Sequence, residues 1–359
     1  MTLTQFFSQI ASFFVEHSLV WICAIISFTL SASLIPVVIW LCRKYHWYDT
    51  VDERKVHKGN IPRLGSVGFV TAYSIVSILY IFIAKDASKT MISFVIAGFI
   101  IFLFGVIDDF LNMRAIFKLL VQIVAALIIV CSGFRFRNIW LWQLPVWFSY
   151  ILTFGWIIGI INAYNLIDGV DALCGSLSAL VILTLGIIYA QNAIHSAASC
   201  FILVGAICGF LLYNKPKAKI FMGDGGSQFL GFMIAALPLY QTTVHFENNK
   251  FLIMLNLVAI PMIDTIAAIW RRIREHRGIM SPDRYHLHHK LMNQGFNVKQ
   301  ILLILDSLQL VLCIASGVSM NVSKWPSFFI LIISYCFILS FFTLMHFKNK
   351  TWKKEQGLL

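Results

Sequence analysis

The sequence predicts an all-α fold: a polytopic integral membrane helix bundle of about 11 transmembrane helices, N-terminus periplasmic and C-terminus cytoplasmic. Three observations predict it. Hydrophobic residues make up 59% of the 359-residue chain and charged residues only 12%, with a mean hydropathy of +0.81. A soluble chain carries about twice that charged fraction. Apolar runs near the length that crosses a bilayer as a helix recur from end to end. Lysine and arginine, finally, fall mostly on alternate connections.

The runs are read at 18–42, 66–84, 91–107, 117–133, 148–163, 176–192, 197–213, 227–242, 251–270, 301–320 and 327–345. With the N-terminus outside, 22 of the 28 Lys and Arg lie on inward segments, which sets the orientation by the positive-inside rule. The segment "MTLTQFFSQIASFFVEHSLV" has no basic start and no small-residue cleavage site, so no cleaved leader is expected. The aromatic stretch "RFRNIWLWQLPVWFSY" reads either as an interfacial turn or as part of a helix. Eight cysteines are scattered through apolar runs without CxxC spacing, which fits packing rather than disulfide or zinc chemistry. One membrane domain over 1–359 is expected, its motifs within 50–300.

Acids say more than bases. Of 16 Asp and Glu, only Glu16, Asp86 and Glu247 map outside. The others gather on the inward side, where a purely lipid-facing rim would not need them. One polar site on that face is the expectation.

Four stretches carry its chemistry, and a fifth lines it. Asp108 and Asp109 close an apolar run, at a helix C-terminus whose dipole disfavours carboxylates. Neighbours on a helix diverge, so the two acids serve different partners. "INAYNLIDGVDALCGSLSAL" places Asn162, Asn165, Asp168 and Asp171 between two apolar runs with no Lys or Arg, and Asp171 can also cap the next helix. "AKIFMGDGGSQFLGF" sets Asp224 among Gly223, Gly225 and Gly226 at a helix start. There, backbone amides favour anions, and a carboxylate beside phosphate oxygens suits Mg²⁺. In "WRRIREHRGIMSPDRYHLHHKLMNQGF", Ser281 and Pro282 read as a helix start, with His286 and His289 on one face and His288 pointing elsewhere. Beyond the first run, Arg54, Lys55, His57, Lys58 and Arg63 form a basic strip suited to a lipid phosphate or a nucleotide diphosphate.

"RKVHKGNIPRLG", the DD pair, "NAYNLIDGVDALCG", "FMGDGGS" and "SPDRYHLHH", in this order along the chain and on one side, resemble the polyprenyl-phosphate N-acetylhexosamine-1-phosphate transferases over residues 50–300. The similarity is nearest to the bacterial undecaprenyl-phosphate N-acetylglucosamine branch. It implies a multi-pass protein of the bacterial inner membrane with a cytoplasmic site. It also implies transfer of GlcNAc-1-phosphate from UDP-GlcNAc to undecaprenyl phosphate, with Mg²⁺ as cofactor and Mn²⁺ able to substitute. By motif, Asp224 would ligate the metal and Asp108 and Asp109 would be the catalytic pair. Asn165, Asp168 and Asp171 would bind nucleotide, the histidines His286, His288 and His289 the diphosphate, Arg272 the amino sugar, and Lys55 and His57 substrate.

The partners implied are UDP-GlcNAc, undecaprenyl phosphate and membrane lipids, with no nucleic acid and room for a homodimer. Ala172 and Ser66 stand where the family pattern has glycine, and no lysine follows the DD pair at "DDxxK" spacing; Lys118 comes later. The competing readings are another UDP-N-acetylhexosamine as donor, an ion-coupled transporter with mid-membrane acids and broken helices, and a zinc hydrolase built on "HLHH".

Overall fold

The computed structural model describes residues 17–48, 61–84, 89–190, 194–240, 244–278, 281 and 285–356. Lys55 and His57, assigned above to substrate, lie outside them. Thirteen helices and one small hairpin are present among the described residues. They are α1 (Ser18–Lys44), α2 (Gly65–Ala84), α3 (Lys89–Leu111), α4 (Ala115–Cys131), the hairpin β1 (Asn138–Ile139) and β2 (Trp142–Gln143), and α5 (Val146–Ile167). Then follow α6 (Leu173–Ala190), α7 (Ile194–Asn214), α8 (Asp224–Tyr240), α9 (Val244–Leu257), α10 (Ala259–Arg274), α11 (Leu287–Asn293), α12 (Val298–Ser319) and α13 (Lys324–Glu355).

Each of the eleven apolar runs contains a helix among the described residues, but they do not all qualify as spans. Eight helices are long and apolar enough to cross a membrane, and a ninth crossing is the bent pair Asn249–Leu257 and Ala259–Arg274. Helices α4 and α8 have only 17 residues each. The protein is an all-helical polytopic bundle. The aromatic stretch is a turn: β1 and β2 pair antiparallel, and α5 starts only after Pro145.

Large apolar side chains point outward along the spans, among them Phe82 at 77% and Leu303 at 69% exposure. Such a surface is costly in water and expected in lipid. All eight cysteines are unpaired.

Helix α8 lies at the centre. Every residue from Gly225 to Leu239 is buried, with α3 and α5 packed along it. Close approach explains its glycines. A Cβ on Gly105 of α3 would stand 2.5 Å from the Gly225 Cα, so no larger residue fits there without parting α3 from α8. Gly105→Ala is expected to destabilise the protein by about 1–3 kcal/mol through overpacking. Thermal melts of the detergent-solubilised protein check this, and an unchanged midpoint would contradict the close approach.

The α9–α10 break has an identifiable cause. Pro261 sits in the first turn of α10 and has no N–H to give the Leu257 carbonyl four residues back. Gln309 Nε2 of α12 donates to that carbonyl instead, at 2.9 Å. The axis bends by 74°, and α10 then packs against α5, bringing its polar end alongside that helix.

Candidate active site at one end of the bundle

Alternation of helix direction brings particular ends together. The C-termini of α3 and α5 meet the N-termini of α2, α4, α6 and α8, and the chain just before α2 runs beside the chain just before α8. Phe221 N donates to Pro62 O at 2.7 Å, Gly65 N to Phe221 O at 2.9 Å and Ser66 N to Met222 O at 3.1 Å. This ladder carries Arg63 to Asp224. Gly223 has φ +78, and a Cβ there would collide with the Arg63 carbonyl and the Asp109 carboxylate. The turn therefore requires glycine both for its backbone angle and for the space.

Three carboxylates from two helix ends converge there. Lys118, in the first turn of α4, places Nζ 2.5 Å from Asp108 Oδ2 and 2.6 Å from Asp224 Oδ2. Arg63 places Nε 3.2 Å from Asp109 Oδ1 and Nη2 3.6 Å from Asp224 Oδ1. Asn165 Nδ2 donates to Asp224 Oδ1 at 3.3 Å and to Ser227 Oγ at 3.0 Å. Behind it, Asn162 donates to Gln122 and Gln122 to Gln228. Asp108, Asp109, Asn165 and Asp224 thus share one site.

The DD pair diverges, as neighbours on a helix must. Asp108 takes Lys118 and the Met113 amide (2.7 Å). Asp109 accepts from Asp224 N at 2.8 Å and Gly225 N at 3.1 Å. One expectation is corrected here. The glycine-loop amides at the start of α8 do not stand open to a phosphate, because the Asp109 carboxylate already occupies them. Gly226 N and Ser227 N turn back to Gly223 O. A buried carboxylate on a helix N-terminus satisfies the donors and suits the dipole.

The loop between α5 and α6 divides its acids. Asp168 feels the charges of Asp224 and Arg63, and its pKa is pushed up to about 7, by burial first and by Asp224 second, against the pull of Arg63. Asp171 faces another way, accepting from Ala218 N at 3.0 Å, while Ala172 N donates to Asn214 Oδ1 at 2.9 Å. These bonds tie the α5–α6 loop to the α7–α8 loop. Ala172 has φ 65, the left-handed region in which glycine is relaxed and alanine strained. Glycine, which the resemblance leads one to expect here, would carry no such strain.

The raised Asp168 pKa has a direction in pH. Folded Asp168 holds its proton between the ordinary value of 3.8 and about 7, where the unfolded chain has lost it. Stability contributed by this group therefore falls as pH rises through that window and is lowest above it. Asp168→Asn removes the penalty. Without added ligand, its melting midpoint should exceed the parent's by a margin that grows from pH 5 to 7 and is constant above; a margin that shrinks with pH would contradict the burial.

The histidine segment is corrected in two respects. Its helix begins at Leu287 with His286 as N-cap, not at Ser281, which lies in a bend; Pro282 and Asp283 are outside the described residues. His288 does not point away. It is buried, and a Cβ on Gly169 would stand 2.8 Å from its Cε1, so it packs on the Asp168 loop through a gap only glycine leaves. Burial pushes its pKa down to about 3. His288 lies between its neighbours, stacked on His286 at 5.9 Å and tilted on His289 at 4.2 Å. Arg272 is buried in the last turn of α10, beside Arg271, whose guanidinium faces the Tyr285 ring.

Two participants escaped the sequence reading of the site. Lys118 is remote from the DD pair in sequence but follows it after one tight helix–helix connection. Its signal is its place in the first turn of an otherwise apolar helix. Arg63 was read only as part of a basic strip.

The anionic groups of the cluster are carboxylate oxygens, with no thiolate or imidazole among them, which fits Mg²⁺ rather than a softer metal. No group of three or more His, Cys, Asp or Glu metal ligands is present among the described residues. Mg²⁺ needs only one or two carboxylates when phosphates complete its shell, so the donor set fits.

A lipid-spanning bundle with anionic and cationic side chains at one end defines a membrane-embedded protein with a site for charged, phosphate-like substrates. The chain belongs to glycosyl transferase family 4, whose profile matches residues 91–242. It is 31% identical over 312 residues to a Bacillus subtilis (strain 168) protein called a probable undecaprenyl-phosphate N-acetylglucosaminyl 1-phosphate transferase, covering 84% of this chain and 86% of that one. It is 27% identical to the undecaprenyl-phosphate alpha-N-acetylglucosaminyl 1-phosphate transferase of Escherichia coli (strain K12), covering 87% and 86%. The Salmonella typhi protein of the same name is 29% identical, covering 85% and 84%. The matched segment includes Asp108, Asp109, Lys118, Asn165, Asp168 and Asp224.

Proposed function

We propose that the protein transfers GlcNAc-1-phosphate from UDP-GlcNAc to undecaprenyl phosphate, giving undecaprenyl-diphospho-GlcNAc and UMP. The observation that carries this is the cluster of Asp108, Asp109 and Asp224 with Lys118 and Arg63 at one end of the bundle, in a chain aligned over most of its length with transferases of that name. The site belongs on the cytoplasmic face of the bacterial inner membrane, following the basic bias of that end. An isoprenoid substrate keeps its phosphate at the headgroup plane, and helix ends are where a soluble nucleotide can meet it.

In the reaction, an oxygen of the lipid phosphate attacks the β-phosphorus of the nucleotide sugar. The new P–O bond forms as the bond to the bridging oxygen breaks, and its electron pair leaves with UMP. The phosphate monoester is largely ionised near neutral pH, so the difficulty is repulsion between anions rather than removal of a proton. Lys118 and Arg63 place positive charge beside the reacting phosphates, and Asn165 holds Asp224 in register. Asp109, with both oxygens bound to α8 amides, positions Asp224, leaving Asp108 as the carboxylate that can orient the lipid phosphate. Asp224 and Asp168 would hold Mg²⁺, which when bound supplies charge neutralisation on the diphosphate.

Acids within spans do not favour transport. Asp264 is bonded to His286, and Asp306 accepts from Ser176 Oγ at 2.7 Å. The test is direct: purified protein with polyprenyl phosphate and a panel of UDP-sugars, following UMP and the lipid product. UDP-GlcNAc should be used best. Efficient turnover of another UDP-N-acetyl sugar in its place would move the donor assignment, and no UMP with any of them would overturn the reading.

A further inference from the structure

We infer that Asp264 is a positioning residue for the phosphate site, acting through His286. The inference rests on the transferase reading and goes beyond it, since the catalytic, metal-holding and substrate-contacting roles above leave Asp264 without a task.

Asp264 lies in the second turn of α10 and is 1% exposed. A buried carboxylate needs strong partners to stay ionised, and both of its oxygens have one. Oδ2 lies 2.8 Å from His286 Nδ1, and Oδ1 accepts from Leu287 N at 2.9 Å. One side chain thus grips two successive residues where α11 begins, and the rings beyond continue the contact. His286 stacks on His288 with their planes 7° apart, and His288 packs on Gly169, next to Asp168. The row Asp264, His286, His288, Gly169 joins the bent α10 to the loop whose acid senses Asp224.

A carboxylate on one imidazole nitrogen fixes the ring's orientation and keeps a proton on that nitrogen. With Nδ1 engaged by Asp264, Nε2 is the nitrogen left for a ligand. A phosphate oxygen is the matching group when the ring is an imidazolium, whose Nε2–H donates to it while the Asp264 carboxylate balances the charge. The 74° break precedes α10, the helix that carries Asp264 to His286.

The test is a double-mutant cycle in the purified transferase. Asp264→Asn is nearly isosteric and can still accept from Leu287 N, but its amide offers His286 Nδ1 a donor and removes the carboxylate that balances a charged ring, so a neutral imidazole replaces the imidazolium. We expect kcat/KM for UDP-GlcNAc to fall at least tenfold with the melting midpoint held. In a His286→Ala background the same change should alter kcat/KM by less than twofold, because its route of action is gone. An equal fall in both backgrounds would show that Asp264 acts through packing alone and would overturn the inference, as would no fall in the parent. If the Asn variant does not purify folded, Asp264→Glu, which keeps the charge and shifts it by one methylene, enters the same cycle with the same expected result. Absence of sugar-phosphate transfer by the unmutated protein would instead overturn the transferase reading, and the inference with it.

Discussion

Asp224→Asn is expected to reduce GlcNAc-1-phosphate transfer by about 10²–10³-fold, the range for removing one preorganised electrostatic group from an active site. The side chain keeps its shape and loses its charge. In the parent, Lys118, Arg63 and Asn165 all converge on this carboxylate. Neutralised, it would leave the Lys118 and Arg63 charges balanced only by Asp108 and Asp109. It would also remove the main oxygen donor proposed for Mg²⁺, so the concentration giving half-maximal rate should rise. Turnover measured against Mg²⁺ concentration reads both effects. Parental activity at ordinary Mg²⁺ would remove Asp224 from the metal site.

Lys118→Met should lower kcat by about 10²-fold. Methionine keeps an unbranched side chain of similar length without the ammonium that sits 2.5 Å from Asp108 and 2.6 Å from Asp224. The metal response should move the opposite way from that of Asp224→Asn. An ammonium bound to Asp224 competes with any other cation there, so removing it should lower the Mg²⁺ concentration for half-maximal rate while the maximal rate falls. Lys118→Arg, which preserves charge but not the compact shape, should fall between the two. If Lys118→Met needs more Mg²⁺, the lysine does not share the metal's carboxylate.

The two variants probe different parts of one arrangement. Asp109 spends its charge on the first amides of α8 and thereby holds the Asp224 turn. Asp108 and Lys118 face the remaining side. The acids side by side at the end of α3 are therefore not duplicates: Asp109 binds the first amides of the central helix, whereas Asp108 pairs with Lys118 and the Met113 amide.

Much of this was legible in sequence because the causes are local. Apolar length and charge bias imply helices that cross lipid, and each of the eleven predicted runs contains a helix among the described residues. Paired acids, the glycine turn around Asp224 and the asparagine-rich loop each break an apolar pattern with polar residues, and Asp108, Asp109, Asn165 and Asp224 do meet. The span count was less legible, since α4 and α8 are short and α9–α10 is broken, and length by itself does not say which helix is central.

Roles within the site were decided by packing. That Asp109 would occupy the α8 amides follows from a close helix approach that needs glycine at position 105, where a Cβ would stand 2.5 Å from the Gly225 Cα. Asp171 went to the Ala218 amide because two loops lie side by side, and His288 turned inward because Gly169 leaves it space. Lys118 reached Asp224 across 106 residues of chain. The sequence alone determined that this chain folds in a membrane and carries an acidic, glycine-bearing site, because hydropathy and charge act residue by residue. Only the tertiary structure decided which carboxylate faces which cation, because hydrogen bonds act over about 3 Å and depend on neighbours brought together from distant parts of the chain.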